Sequence, residues 1–149
     1  MEILKLKSFG GSIDDNKHLS PHFRAREFAC EHGLLVIDEE FIDDLESFRN
    51  LYGRPFIVTC GFRCSICNSG CHQHSYHTLG RAVDGVFSGV SPINTYTAWL
   101  GDLQWYQRLG LYKSHLHFDN GNMGREHNLL PLSWWVIDGV YYYITDVMK

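Results

Sequence analysis

The chain has 149 residues, 44% apolar and 20% charged, which is near the globular average and enough for one domain. No apolar run reaches the roughly 18 residues of a membrane helix, and the start MEILKLKSFGGSIDD lacks the basic segment and long apolar core of a secretory signal. Thirteen basic residues against 17 acidic ones leave a net charge of −4, which argues against nucleic acid as a partner.

In chain order, Ile3 to Phe9 reads as a short strand ended by Gly10-Gly11. In HLSPHFRAREFAC, Ser20 before Pro21 is placed to cap a short helical turn. The clearest helix is DEEFIDDLESFRNLYG, with Phe41, Ile42, Leu45, Phe48 and Leu51 at helical spacing, Asp38 as cap and Gly53 as stop. PFIVTC is a buried strand, Gly61 to Ser75 a loop, and Ala82 to Phe87 a second strand. Ser91-Pro92 opens a helix to about Gln104, with Tyr96, Leu100 and Leu103 on one face. HLHFD is a strand and GNMGREHN a loop. WWVI-DG-VYYYIT is a hairpin whose Asp138-Gly139 pair supplies the positive φ angles of a type I′ turn. Two helices against several short strands give an α+β domain.

Nine His and five Cys are many for so small a chain, so metal chemistry is the first reading to test. In HTLGRAVD, a loop entering a strand can bring His77 and Asp84 to one ion, with Gly80 allowing a tight turn. In HLHFD, the strand period of two puts His115, His117 and Asp119 on one face. Imidazole and carboxylate suit Zn²⁺, and three protein ligands with one open position is the catalytic arrangement.

Ser75 to Asp84 resembles the S-x-H-x-x-G-x-A-x-D signature of the zinc D-alanyl-D-alanine carboxypeptidases, a family whose relatives include phage cell-wall endopeptidases and the hedgehog signalling domain. HLSPHFRAREFAC, the helix after Asp38, VTCGFRC and LGLYKSHLHFD are similar to further segments of that family, so the resemblance covers about residues 18–120. It implies a small antiparallel sheet with helices packed on one face, of the hedgehog and D-Ala-D-Ala-peptidase type. Residues 1–149 are then one domain, extended by a C-terminal hairpin at 133–146.

The same resemblance implies Zn as cofactor, His77, Asp84 and His117 as its ligands, and Arg63 and Ser75 as substrate-side residues. Arg63 would stabilise the oxyanion that develops on the scissile carbonyl. In many relatives an acidic residue stands three before the last His; here that position is Ser114, which cannot serve as a base. His115 and Asp119 are the nearest ionisable groups. His115 has the right intrinsic pKa for proton transfer, and Asp119 is a second candidate that could instead orient His117.

Cys64-x₂-Cys67-x₃-Cys71, with Cys60, Cys30, His72 or His74 as a fourth donor, reads as a second metal site. An iron–sulfur cluster, a disulfide or reduced thiols in a loop are the other readings. His18, His22, His32 and His127 belong to no constellation and read as surface positions. Trp134 and Trp135 point to opposite faces of their strand, one to the core; core packing is the default for the other too, and a groove wall for a glycan or peptide is the alternative.

The sequence therefore indicates a monomeric zinc peptidase acting on peptidoglycan stem peptides or cross-links, as a carboxypeptidase or endopeptidase. The absence of a recognisable leader suggests a phage or prophage enzyme made in the host cytoplasm and acting on the cell wall. The alternatives are a catalytically inactive zinc-containing binding module of the same fold, or a small structural Cys-metal protein.

Overall fold

A computed structural model describes residues 5–8, 17–66, 75–99, 108–120 and 133–144. Strand β1 (Lys5–Ser8) pairs antiparallel with β4 (Leu34–Ile37) as a separate ribbon. Strands β2 (His18–Ser20) and β3 (Phe23–Arg24) form another, leading into the short helix α1 (Ala25–Phe28). The main sheet holds β5 (Phe56–Cys60), β6 (Ala82–Phe87), β7 (Arg108–Leu111), β8 (Leu116–Asp119), β9 (Ser133–Ile137) and β10 (Val140–Ile144). Its order is β10-β9-β7-β8-β6-β5.

The sheet is mixed rather than wholly antiparallel. β8 and β9 flank β7 on opposite sides, and β9 runs parallel to β7. The Asp138-Gly139 hairpin forms as expected, with φ of 49° and 77° at the turn. By adding β9 to β7 it extends the sheet instead of only shielding its edge.

Helix α2 (Glu39–Tyr52) begins and ends where its signals place it. The Asp38 carboxylate accepts from the Glu40 N–H at 3.2 Å, and Gly53 closes the helix with φ 77°. Its buried stripe is Phe41, Ile42, Leu45 and Phe48. Leu51 departs from the expected stripe and is 63% exposed, because Tyr52 takes the core side and stacks on Phe87 at 4.4 Å. Phe48 also meets Phe118 at 5.4 Å, which seats α2 on the sheet face built by Phe87, Phe118, Val83 and Leu109. Helix α3 (Pro92–Ala98) joins the same face, where the Tyr96 hydroxyl bonds the Ser133 hydroxyl. Leu100, Leu103 and Gln104 lie outside the described residues.

Ser20 does not cap a helix. Pro21-His22 form a turn between β2 and β3, and the Ser20 hydroxyl donates to Glu46 Oε1 of α2 at 2.9 Å. Among the described residues, no helix is long and apolar enough to cross a membrane.

Candidate metal centre

One transverse row of the main sheet carries the candidate site. Cys60 stands opposite Asp84, Asp84 opposite His117, His117 opposite Gly110, and Gly110 opposite Trp134. Residues paired in this way present their side chains to the same face. Their sequence neighbours Val83, Phe118 and Leu109 point the other way, into the core. One face of the sheet is thus an apolar platform and the other a polar site.

His77 reaches this face from a 3₁₀ turn, Tyr76–Leu79. The Ser75 hydroxyl accepts the His77 N–H at 3.3 Å and caps that turn, so its polar atom is engaged locally. Gly80 ends the turn with φ 68°, and a Cβ there would lie 2.2 Å from the Val36 carbonyl oxygen, so only glycine fits. The Asp38 N–H donates to Gly80 O at 2.9 Å. The buried Asp38 carboxylate also accepts from Asn120 Nδ2 at 3.0 Å and lies 3.4 Å from Arg81 Nε. A residue legible only as a helix cap therefore locks the start of α2, the His77 turn and the end of β8 together.

Asp84 Oδ1 is the meeting point, 3.3 Å from His77 Nε2 and 2.8 Å from His117 Nδ1. The outer nitrogens are held too. His77 Nδ1–H donates to the Gly61 carbonyl at 2.7 Å, and His117 Nε2–H donates to Asp119 Oδ2 at 2.7 Å. A carbonyl and a carboxylate accept only, so these bonds fix protons on the outer nitrogens and leave both inner nitrogens facing Asp84. With the inner nitrogens deprotonated, two imidazole lone pairs and a carboxylate oxygen face one volume, a donor set able to take a cation. Donors around a tetrahedral Zn²⁺ stand about 3.4 Å apart, close to the His77–Asp84 spacing. Holding each outer nitrogen by a carbonyl or carboxylate is also how metal-ligating histidines are oriented. The donor set fits zinc.

Arg63 points into the same volume, its Nη2 3.5 Å from Asp84 Oδ2 and its Nε–H donating to Cys60 Sγ at 3.2 Å. Cys60, His77 and Asp84 bring donor atoms within 4.8 Å of one another, a group that contains neither His117 nor Cys64. His115 stands at the rim. Its Nε2 is 3.9 Å from Asp84 Oδ2, its Nδ1 bonds the Ser114 hydroxyl at 3.0 Å, and its ring stacks on Tyr112 at 4.5 Å. Asp119 is 0% exposed, sits behind His117 and lies 3.1 Å from Arg108 Nε. It is walled off from the open side of the site, where His115 stands.

Residues 17–119 match the protein-family model described as Peptidase M15. The chain belongs to the Peptidase M15 family. No curated protein and no solved structure matches it.

In this Peptidase M15 domain Asp84 and the two histidines strongly influence one another's charge. Burial opposes charge on His77, yet hydrogen bonds with Asp84 and Cys60 outweigh it and raise the imidazole to about 9. Asp84 resists burial through His117 and His77 and is held well below the usual carboxylate range. His117 is raised, with Asp119 and Asp84 overcoming burial. His115 moves the other way: burial lowers it, and His117, His77 and Arg63 reinforce this against the pull of Asp84.

Beyond the row, aromatic side chains line the site face. The Trp134 ring lies 5.4 Å from that of His117, carries Arg108 Cζ 4.7 Å from its centroid, and donates from Nε1 to the Tyr112 hydroxyl at 3.2 Å. Tyr112 meets Tyr141 at 6.4 Å, and Tyr141 stacks with Tyr143 at 6.2 Å. Trp135 packs against the core instead. Cys67, Cys71, His72, His74 and His127 lie outside the described residues. His22 pairs with Glu46, and His32 contacts Cys64; the sequence offered no periodic or motif signal for either contact.

Proposed function

We propose that this Peptidase M15 domain, spanning residues 1–149, is a zinc-dependent peptidase that cleaves peptide bonds in bacterial peptidoglycan stem peptides or cross-links. The observation that carries the reading is the convergence of His77 Nε2, Asp84 Oδ1 and His117 Nδ1, each histidine fixed from behind by an acceptor. These atoms would hold the zinc, which when bound would supply Lewis acidity at the scissile carbonyl. The overall arrangement is of the hedgehog and D-Ala-D-Ala-peptidase type.

The residues divide the remaining work. Arg63 turns its guanidinium towards the place where negative charge develops on the scissile carbonyl oxygen. His115, neutral at pH 7 and open to the cleft, accepts the proton of the attacking water and passes it to the leaving amine. Asp119 is a positioning residue that fixes the ring of His117. Ser75 acts by shaping the His77 turn. Trp134, Tyr112 and Tyr141 form a wall against which a glycan or peptide lies.

The test couples metal content to activity. Elemental analysis of the wild type and His77→Ala should show zinc bound at this site in the first and lost from it in the second, and purified muropeptides should yield new termini only with the wild type. Retention of muropeptides without cleavage would point to the binding-module reading, which the non-acidic Ser114 favours. A His77→Ala protein that kept all its metal would overturn the site.

A further inference from the structure

A second group of metal-capable side chains lies apart from the Asp84 row. Cys30, His32 and Cys64 each bring a donor atom within 4.8 Å of the others. Cys64 Sγ is 3.3 Å from His32 Nδ1, close to the roughly 3.6 Å expected of a sulfur and a nitrogen on one tetrahedral zinc. No disulfide joins Cys30 and Cys64.

The backbone is built to present these atoms. Cys30 to Gly33 form a tight turn closed by Gly33 N–H to Cys30 O at 2.9 Å, and Gly33 takes φ 74°. Cys30 N–H donates to Leu34 O at 2.9 Å, which folds His32 back over Cys30. The segment bearing Cys64 is pinned alongside by Phe62 N–H to Phe28 O at 2.7 Å. That approach depends on Gly61, where a Cβ would lie 2.5 Å from Phe28 Cα. Two sequence-distant segments are thus held so that the buried Cys64 thiol, the Cys30 thiol and the exposed His32 imidazole converge.

We infer that Cys30, His32 and Cys64 supply three ligands of a zinc site, distinct from the His77, Asp84 and His117 centre. Thiolate and imidazole donors select zinc over the oxygen-preferring divalent ions. A disulfide between Cys30 and Cys64 would use two of these donors, whereas zinc uses all three. The ion cross-links the end of α1 to the segment carrying Arg63, next to Cys64, and so steadies the residue that reaches Asp84. The site stands whether or not the catalytic reading does.

The test removes the first centre and asks what remains. A His77→Ala/Cys60→Ser protein is loaded with Co²⁺, whose thiolate charge-transfer absorption reports sulfur ligation. One equivalent should be retained with that absorption, and Cys64→Ser or Cys30→Ser in this background should abolish it. His32→Ala, at an exposed turn position, should keep the fold by circular dichroism and weaken cobalt binding about tenfold or more. No retained cobalt, cobalt binding indifferent to His32→Ala, or a Cys30–Cys64 disulfide in the non-reduced mass spectrum would each overturn the site.

Discussion

Gly110 leaves open the space that the indole of Trp134 occupies: a Cβ on Gly110 would stand 2.5 Å from Trp134 Cε2. The two residues face each other across the parallel β7–β9 pairing, and the indole then reaches His117, Arg108 and Tyr112. Gly110→Ala should therefore cost about 1–3 kcal/mol, read as a lower unfolding midpoint with altered tryptophan fluorescence. Trp134→Ala should offset part of that cost in the double variant. Strictly additive costs would show that the two side chains do not compete for one space.

Asp119 is buried behind His117, with its second oxygen near Arg108. Asp119→Ala should weaken zinc binding about 10–100-fold in a chelator competition, while the sheet still forms. An unchanged dissociation constant in a folded variant would remove its positioning role.

His115 carries the proton-transfer assignment. Its pKa in the folded protein is lowered from 6.5, first by burial, so the neutral base is the form present at pH 7. Wild-type kcat/KM should fall on acidification only below the ordinary histidine range. His115→Gln should lose about 10²–10⁴-fold in rate together with that acid limb. If the limb survives in the variant, another group is the base.

Glu46 ties the N-terminal ribbon to α2. Its carboxylate accepts from the Ser20 hydroxyl at 2.9 Å, from His22 N–H at 2.6 Å and from His22 Nδ1 at 2.8 Å. Burial raises its pKa, but these bonds overcome it and hold the group below its ordinary 4.5. A depressed folded pKa means that this stabilisation is present above the ordinary value and fades as pH falls through the lowered one. Glu46→Ala should cost about 1–3 kcal/mol at pH 7 and progressively less on acidification, measured by urea unfolding across pH. A cost that does not change with pH would contradict the linkage.

How much of this was legible depends on the range of the contacts involved. The α2 boundaries follow from Asp38 and Gly53, and the Asp138-Gly139 hairpin from its turn dipeptide, because caps and turns are satisfied within a few residues. The alternation of HLHFD placed His117 and Asp119 on one face of β8 for the same reason, a strand's period of two being a local property, while His115 stands just before the strand begins. The spacing of His77 and Asp84, read with the family signature, singled out two side chains that the structure brings within 3.3 Å of each other.

Tertiary structure decided what local pattern cannot encode. It set His115 at the rim and Asp119 behind His117, and it turned the Ser75 hydroxyl to cap its own turn. It brought Cys60 to the Asp84 row and left Cys64 with Cys30 and His32, although Cys60 and Cys64 are only four residues apart in the chain. It ran β9 parallel to β7, which faces Trp134 with Gly110 and leads its indole to His117. These arrangements rest on pairings between segments far apart in sequence. Their register is set by which faces can be buried and which backbones can approach, and that is settled only when the whole sheet closes on its core.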